Sequence, residues 1–208
     1  MSISKEILEQ YRALRASTVY EGAGKCGDMG SEIRPVGEDT RIVAPAFTVR
    51  CWPGDGSAMM RAVDEAERGA VLVIDAGSSH SATWGGGATL AAIHRGLAGV
   101  VSNGSVRDVE QIHASRFPVF CTGISVRGGV RNHRGWTGIP IAVGGAVIHP
   151  GDLIVADIDG VVVVPQERAE ETLLNALKRK AHEEESDRRL AEGTSYSVLT
   201  GIKLTLPG

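Results

Sequence analysis

The stretch WGGGATLAAIHRGLAGVVSNGSVRD, Trp84 to Asp108, decides how the rest of the chain reads. It opens on three consecutive glycines, Gly85, Gly86 and Gly87, followed by an Ala-rich run with Leu90, Ala91 and Ile93 at helical spacing. Gly96 is placed to end that helix. The apolar step Gly99-Val100-Val101 then leads into Asn103-Gly104, and the segment closes on Arg107-Asp108. The pattern predicts a loop of exposed amides opening a helix, then a buried strand, then a charged pair at the strand's end. Amides at a helix N-terminus attract anions through unpaired N–H groups and the helix dipole. An arginine can fork onto a carboxylate, and an aspartate beside it can hold a hard cation. Together they suggest a site for a small anionic substrate and a divalent metal.

The surrounding chain fits one cored domain: 208 residues, 42% hydrophobic and 23% charged, ordinary values for a globular protein. A formal net charge of −3 gives no general attraction to nucleic acid or to an anionic membrane. The 27 glycines are the anomaly, roughly double the usual share of about 7%. They follow no period, so they suit tight turns around a backbone-lined site better than collagen or a linker. Cys26, Cys51 and Cys121 are odd in number and widely spaced, which does not suggest a disulfide framework and predicts buried free thiols in a reducing compartment. The charged amphipathic start, MSISKEILEQYRALRAS, lacks the apolar core of a signal peptide, and no apolar run approaches a membrane span. The expectation is a cytoplasmic protein.

Outward from the central stretch, residues 4–16 place Ile7, Leu8, Tyr11 and Leu14 on one helical face, and Thr18-Val19-Tyr20 is short and β-prone. Residues 41–52 read as a strand interrupted at Pro45, with Pro53-Gly54-Asp55-Gly56 as a turn and Ser57 as N-cap of a helix over about 58–67. Val71–Ile74 and Pro118–Cys121 read as buried strands, and 109–115 as a short helix. Residues 123–138, with Arg127, Arg131, His133 and Arg134, read as a loop or hairpin, and Ile139–Val147 as one strand. Asp159-Gly160 between apolar runs predicts a hairpin turn. Gln166–Gly193 reads as a long charged helix, amphipathic through Leu173, Leu174, Ala176, Leu177 and Leu190, followed by a β-prone tail, Ile202–Leu206. Short β segments with helices spread among them make one α/β or α+β domain.

Each chemistry-bearing position also has a plain structural reading. Arg107-Asp108 can be a helix start, with Asp108 favouring the dipole. Gly85-Gly86-Gly87 can be a tight turn or an amide nest; it is neither a Walker loop nor a GxGxxG fingerprint. His80, His94, His113 and His133 lack metal-ligand spacing, and Ser78 and Ser79 lack a GxSxG elbow. Asp152, Asp157 and Asp159 lack the remaining ligands of a calcium loop. Glu183-Glu184-Glu185 reads as a solvated helix face that a subunit interface could recruit.

Taken together, Trp84-Gly85 and its glycines, Gly96-x-x-Gly99, Gly104-Ser105-Val106-Arg107-Asp108, and Pro150-Gly151-Asp152-Leu153 through Asp157-x-Asp159-Gly160-Val161 to Pro165 resemble the RraA-like family. The resemblance spans roughly residues 18–195. It implies an α/β fold of the swivelling-domain type, a β-sandwich or barrel flanked by helices, with an N-terminal helix over 1–17, a core over 18–165 and a C-terminal helix and tail over 166–208 packing on a neighbouring subunit. The family includes class II aldolases that release pyruvate from 4-hydroxy-4-methyl-2-oxoglutarate or 4-carboxy-4-hydroxy-2-oxoadipate. It also includes RraA, a non-catalytic protein inhibitor of ribonuclease E.

For the aldolase branch, the resemblance implies that Arg107 binds the keto and carboxylate oxygens of a small 2-oxo acid and that Asp108 holds Mg²⁺ or Mn²⁺. The loop amides of Gly85, Gly86, Gly87 and Ala88 would hold the pyruvyl carboxylate. Glu183 or Glu184 from a neighbouring subunit would complete the metal shell of a homotrimer or homohexamer, with oxaloacetate decarboxylation as a side activity. Two departures stand out. Aldolases commonly carry an acidic residue where this chain has Gly86. RraA inhibitors lack the intact Arg-Asp pair, which this chain keeps.

Overall fold

The computed structural model describes residues 3–38 and 40–202. Its helices are α1 (Lys5–Arg12), α2 (Ala16–Gly22), α3 (Ser57–Glu65), α4 (Gly86–Arg95), α5 (Val109–Ser115), α6 (Ala169–Ala191) and α7 (Tyr196–Leu199). The first strands are β1 (Arg34–Pro35), β2 (Ile42–Arg50), β3 (Val71–Asp75), β4 (Ala82–Trp84), β5 (Gly99–Ser102) and β6 (Ser105–Val106). They continue as β7 (Val119–Cys121), β8 (Gly123–Ile124), β9 (Trp136–Thr137), β10 (Ile141–Val143), β11 (Ala146–Ile148), β12 (Leu153–Asp157) and β13 (Gly160–Val164).

The main sheet runs β1-β7-β5-β3-β2-β12-β13, with β9 also on β2. Its middle strands β2, β3, β5 and β7 are parallel, while β12 and β13 add an antiparallel hairpin. Both faces of the parallel strands are covered, which is why they read as unbroken apolar runs. Along β3, Leu72 and Ile74 enter one core with Val100 and the apolar faces of α3 and α4. Val71 and Val73 enter a second core with Val101, Val143 and Ile148. Full burial of each such side chain is worth roughly 1.5–3 kcal/mol. A third core lies between the β12–β13 hairpin and helices α1, α2 and α6, around Tyr11, Val19, Leu153 and Leu173.

Beyond the C-terminal ends of β3, β5 and β7, the chain continues into β4, β6 and β8, which form a second, all-parallel sheet in the order β4-β6-β8. That stacking places successive strand-to-helix junctions next to one another, and it is what builds the site.

Several details differ from the sequence expectation. The N-terminal helix is two helices, and α2 contains Thr18-Val19-Tyr20. Burial of Thr18 and Val19 against the third core overrides their β-propensity. Strand β2 runs through Pro45. Ala46 bonds towards β12 through Asp152 O and Gly151 N. The Pro45 nitrogen therefore faces the other side, where pairing with β3 begins only at Ala46 opposite Val71, so no ladder bond is lost. Ile139–Val147 folds as the β10–β11 hairpin, turned by Gly144 and Gly145 with φ of 56° and 82°.

The β12–β13 turn is Ile158-Asp159, with Gly160 already paired to Asp157. The Asp157 carboxylate sets that turn by accepting from the N–H of Asp159 at 3.0 Å. Ser57 is the first residue of α3, and Asp55 Oδ1 accepts its N–H at 2.8 Å. On α6, Leu173 is buried while Leu174 and Leu177 are exposed. All three cysteines are free thiols, but only Cys51 and Cys121 are buried; Cys26, in the loop after α2, is exposed. Of the expected β-prone tail, Ile202 lies in no strand and the rest falls outside the described residues. Among the described residues, no helix is long and apolar enough to cross a membrane.

Candidate functional site

Strands β4 and β6 are parallel neighbours, with Ala82 opposite Ser105 and Trp84 opposite Val106. Each runs directly into a helix: β4 through Gly85 into α4, and β6 through Arg107-Asp108 into α5. The Arg107 N–H donates to Trp84 O at 3.0 Å, carrying the pairing one residue past β6. The Arg-Asp pair thus follows β6, a short strand beyond the predicted β5. Beneath the junction, the buried Trp84 indole N–H donates to Thr89 Oγ1 at 2.9 Å, and that hydroxyl donates to Gly85 O at 3.1 Å. These bonds fix the first turn of α4 to its strand.

Asp108 is the unusual residue. It holds φ 58° and ψ 40°, a left-handed conformation that costs energy for any residue with a Cβ. Its side chain makes no capping bond to its own helix α5. It turns back instead, and Oδ2 accepts the Gly86 N–H at 3.0 Å, so Asp108 caps the neighbouring helix α4. Its Oδ1 has no protein partner among the described residues. Arg107 Nε stands 3.7 Å from Asp108 Oδ2, with side chains 48% and 46% exposed. An ion pair this exposed adds little to stability.

Gly85 provides clearance. Its φ of −170° is ordinary extended backbone, but a Cβ there would stand 2.8 Å from Asp108 Oδ2 and 3.1 Å from Arg107 Cγ. Together these groups form one side of a cleft of about 360 Å³. Gly85, Gly87, Ala88, Arg107 and Asp108 line that side; Met59, Met60, Val63 and Asp64 of α3 and residues 129–131 line the others. Gly87 and Ala88 lie in the first turn of α4, where N–H groups lack intrahelical partners.

Of the residues singled out from the sequence, five therefore share one cleft. Gly86 does not face it: its N–H is taken by Asp108, and a Cβ would stand 1.8 Å from Gln111 Oε1 and 2.5 Å from Gln111 Cδ. The Gln111 carboxamide from α5 fills the space a side chain at 86 would occupy. Glu183 and Glu184 lie apart, lining a groove with Arg15, Thr18 and Asp187. Within its own chain Glu183 accepts from Thr18 Oγ1 at 3.0 Å and from Arg179 Nε at 2.8 Å. Glu184 pairs only loosely with Lys180, at 3.8 Å.

Among the described residues, no group of three or more His, Cys, Asp or Glu side chains could hold a metal. Among the described residues two carboxylates line the cleft: Asp108, with one oxygen free, and Asp64 at the end of α3. That suits a cation such as Mg²⁺, which keeps several waters and takes one or two carboxylates plus substrate oxygens. Asp152, by contrast, is spent on structure, accepting from the N–H groups of His149 and Gln166 at 2.7 and 3.1 Å.

Asp55, expected only as part of a turn, borders the cleft without lining it. Burial pushes its carboxyl up, but the N–H groups of Ser57, Asn132 and His133 together outweigh burial and hold it well below the usual carboxylate range. The spacing Asp55-x-Ser57, an aspartate two residues before the first helical N–H, is the signal that could have marked it.

Fold and cleft together define an α/β protein in which the Arg107-Asp108 pair and the glycine-opened helix α4 meet at paired strand-to-helix junctions. The chain belongs to the RraA-like family, whose model, described as Aldolase/RraA, matches residues 16–163. It is 34% identical over 188 residues, 90% of each chain, to a Halalkalibacterium halodurans protein that carries the provisional name 4-hydroxy-4-methyl-2-oxoglutarate aldolase. Among solved structures it resembles Streptomyces coelicolor RraAS2, described as an unusual member of the RNase ES inhibitor RraA family. The TM-score is 0.82 at 27% identity, covering 89% of this chain and 98% of that one. An uncharacterised Pseudomonas syringae pv. tomato protein shares the fold, with a TM-score of 0.85 at 24% identity over 96% of this chain and 99% of that one.

Proposed function

We propose that this protein is a divalent-metal-dependent carbon–carbon lyase that releases pyruvate from a 4-hydroxy-2-oxo acid of the 4-hydroxy-4-methyl-2-oxoglutarate type, with oxaloacetate decarboxylation as a side activity. The observation that carries the reading is Asp108, held in a strained conformation with one carboxylate oxygen fixed and the other free beside Arg107. The identity to the aldolase-named relative supports the substrate class.

In this reading the N–H groups of Gly87 and Ala88 receive the C1 carboxylate, and the Arg107 guanidinium faces the C2 oxygen. As the C3–C4 bond breaks, the C4 hydroxyl gives its proton to solvent water, C4 becomes a ketone and the bond's electron pair passes into C3, giving the enolate of pyruvate. Protonation of C3 by water completes the product. A cationic group fixed beside the C2 oxygen stabilises the enolate more than the neutral ketone, which lowers the barrier. Mg²⁺ or Mn²⁺ held by Asp108, when bound, would polarise the 2-oxo group and share that charge; a glutamate such as Glu184 of a neighbouring subunit would complete its shell in a trimer or hexamer.

Gln111 occupies the place of the acidic residue that aldolases carry, and a carboxamide cannot accept the C4 hydroxyl proton at neutral pH. Oxaloacetate decarboxylation needs no such proton transfer, so it should be favoured relative to retro-aldol cleavage. The likeness to RraAS2 supports a second reading, a protein that modulates a ribonuclease by binding. Pyruvate release that depends on Mg²⁺ or Mn²⁺ and is abolished by EDTA supports the lyase; none from a wide panel of 2-oxo acids supports the binding protein.

A further inference from the structure

Residues 127–133 cross the cleft as a strap stitched to two other segments. Arg127 O accepts from the Ala82 N–H at 2.7 Å, the Val130 N–H donates to Gly54 O at 2.8 Å, and the Gly56 N–H donates to Val130 O at 3.0 Å. Between Gly54 and Gly56 sits Asp55, only 1% exposed. Its Oδ2 accepts the N–H groups of Asn132 and His133 at 2.6 and 2.9 Å, while its Oδ1 accepts that of Ser57 at 2.8 Å. One buried carboxylate therefore ties the end of the strap to the start of α3.

The strap in turn shapes the charged wall. A Cβ on Gly128 would stand 2.6 Å from Arg107 Nη1, so the backbone at 128 lies directly over the guanidinium. Gly129 packs as closely on the other side, where a Cβ would stand 2.8 Å from Gly54 O. Arg131, next to the latched residues, lines the cleft and makes no ion pair among the described residues. We propose that Asp55 is a positioning residue: by latching the strap it seats Arg107 under Gly128 and presents Arg131 to the cleft, so the grip on an anionic substrate depends on a carboxylate that never touches it. The kinetic consequence rests on the lyase reading; the structural one does not.

The test compares the full-length wild type with Asp55→Asn and Gly128→Ala in three measurements. These are mass-mapped limited trypsin digestion, calorimetric binding of oxalate with Mg²⁺, and kcat and KM for oxaloacetate. In Asp55→Asn, cuts after Arg131 and Arg134 should accelerate about tenfold or more relative to cuts elsewhere, because the strap opens locally. KM should rise about tenfold, with a smaller change in kcat, as the guanidinium groups lose their placement. Gly128→Ala, whose methyl displaces Arg107 without touching the latch, should weaken oxalate binding while leaving the strap cuts unchanged.

Unchanged strap cuts in Asp55→Asn overturn the proposal, as does a loosened strap with unaltered KM and oxalate affinity. If Asp55→Asn does not fold, Gly128→Ala decides: unaltered oxalate affinity and KM overturn it. A wild type that neither releases pyruvate nor binds oxalate sinks the lyase reading, and the trypsin map still decides the latch.

Discussion

Asp55 and Asp108 flank the same cleft and are treated in opposite ways. Asp55 is 1% exposed and its two oxygens accept three backbone N–H groups. Asp108 is 46% exposed, bonded through one oxygen and strained at its backbone. A buried carboxylate held by three backbone donors, with the His133 ring Nδ1 3.4 Å from Oδ2, is a structural joint, because any loss of a donor leaves an uncompensated charge. An exposed carboxylate with an oxygen to spare, held at an energetic cost, is equipped for a ligand. The contrast separates what holds the cleft from what would react in it.

The largest expected effect breaks the contrast on the reactive side. Asp108→Asn keeps an oxygen for the Gly86 N–H but loses the charge, so kcat should fall by about 100-fold or more, while the thermal midpoint stays near the wild type. A fall in both would make Asp108 structural like Asp55. Next, Arg107→Ala should lower kcat/KM for oxaloacetate by roughly tenfold to 100-fold, measured by steady-state kinetics; unchanged kinetics would leave the guanidinium without a role in the cleft.

On the structural side, Asp55→Ala should cost about 2 kcal/mol in urea unfolding, since buried charge-assisted hydrogen bonds are lost. No shift in the midpoint would show that water replaces the carboxylate freely. The two sides also differ in pH. The folded protein holds the Asp55 carboxyl below its ordinary value of 3.8, so the unfolded chain takes up its proton first as pH falls. The stability this group contributes is complete well above pH 4 and drains away below it. Unfolding of wild type and Asp55→Asn, compared from pH 7 to 3, should therefore show a difference that narrows as pH drops below about 4; a gap that stays constant would contradict the latch's ionisation. The smallest effect is at Gln111. Its replacement by Ala opens the space beside Gly86 and should change the ratio of retro-aldol to decarboxylase rates by only a few-fold, on the order of 1 kcal/mol.

What the sequence made legible follows from locality. The glycine-opened helix α4, its left-handed end at Gly96 with φ 72°, and the buried runs of β3 and β7 depend on neighbours within a few residues, and the chain shows them directly. So does the placement of Arg107-Asp108 just before a short helix. What stayed hidden depends on distant partners. Nothing near Thr18 announces that α6 and the β12–β13 hairpin will bury it in a helix. Nothing near Gly86 shows that Gln111, 25 positions on, will fill its side-chain space. Asp55 read as a turn residue because its acceptors' donors, Asn132 and His133, lie 77 and 78 positions away.

The measurement that bears most directly on the central claim is pyruvate release from oxaloacetate and from 4-hydroxy-4-methyl-2-oxoglutarate, by wild type and Asp108→Asn, with Mg²⁺ or Mn²⁺ and again with EDTA. Spontaneous decay with each metal alone is subtracted. The wild type should release pyruvate in a metal-dependent way, faster from oxaloacetate than from the aldol substrate, and Asp108→Asn should lose both activities. Release that persists in Asp108→Asn or in EDTA would show that neither this carboxylate nor a bound metal carries the reaction.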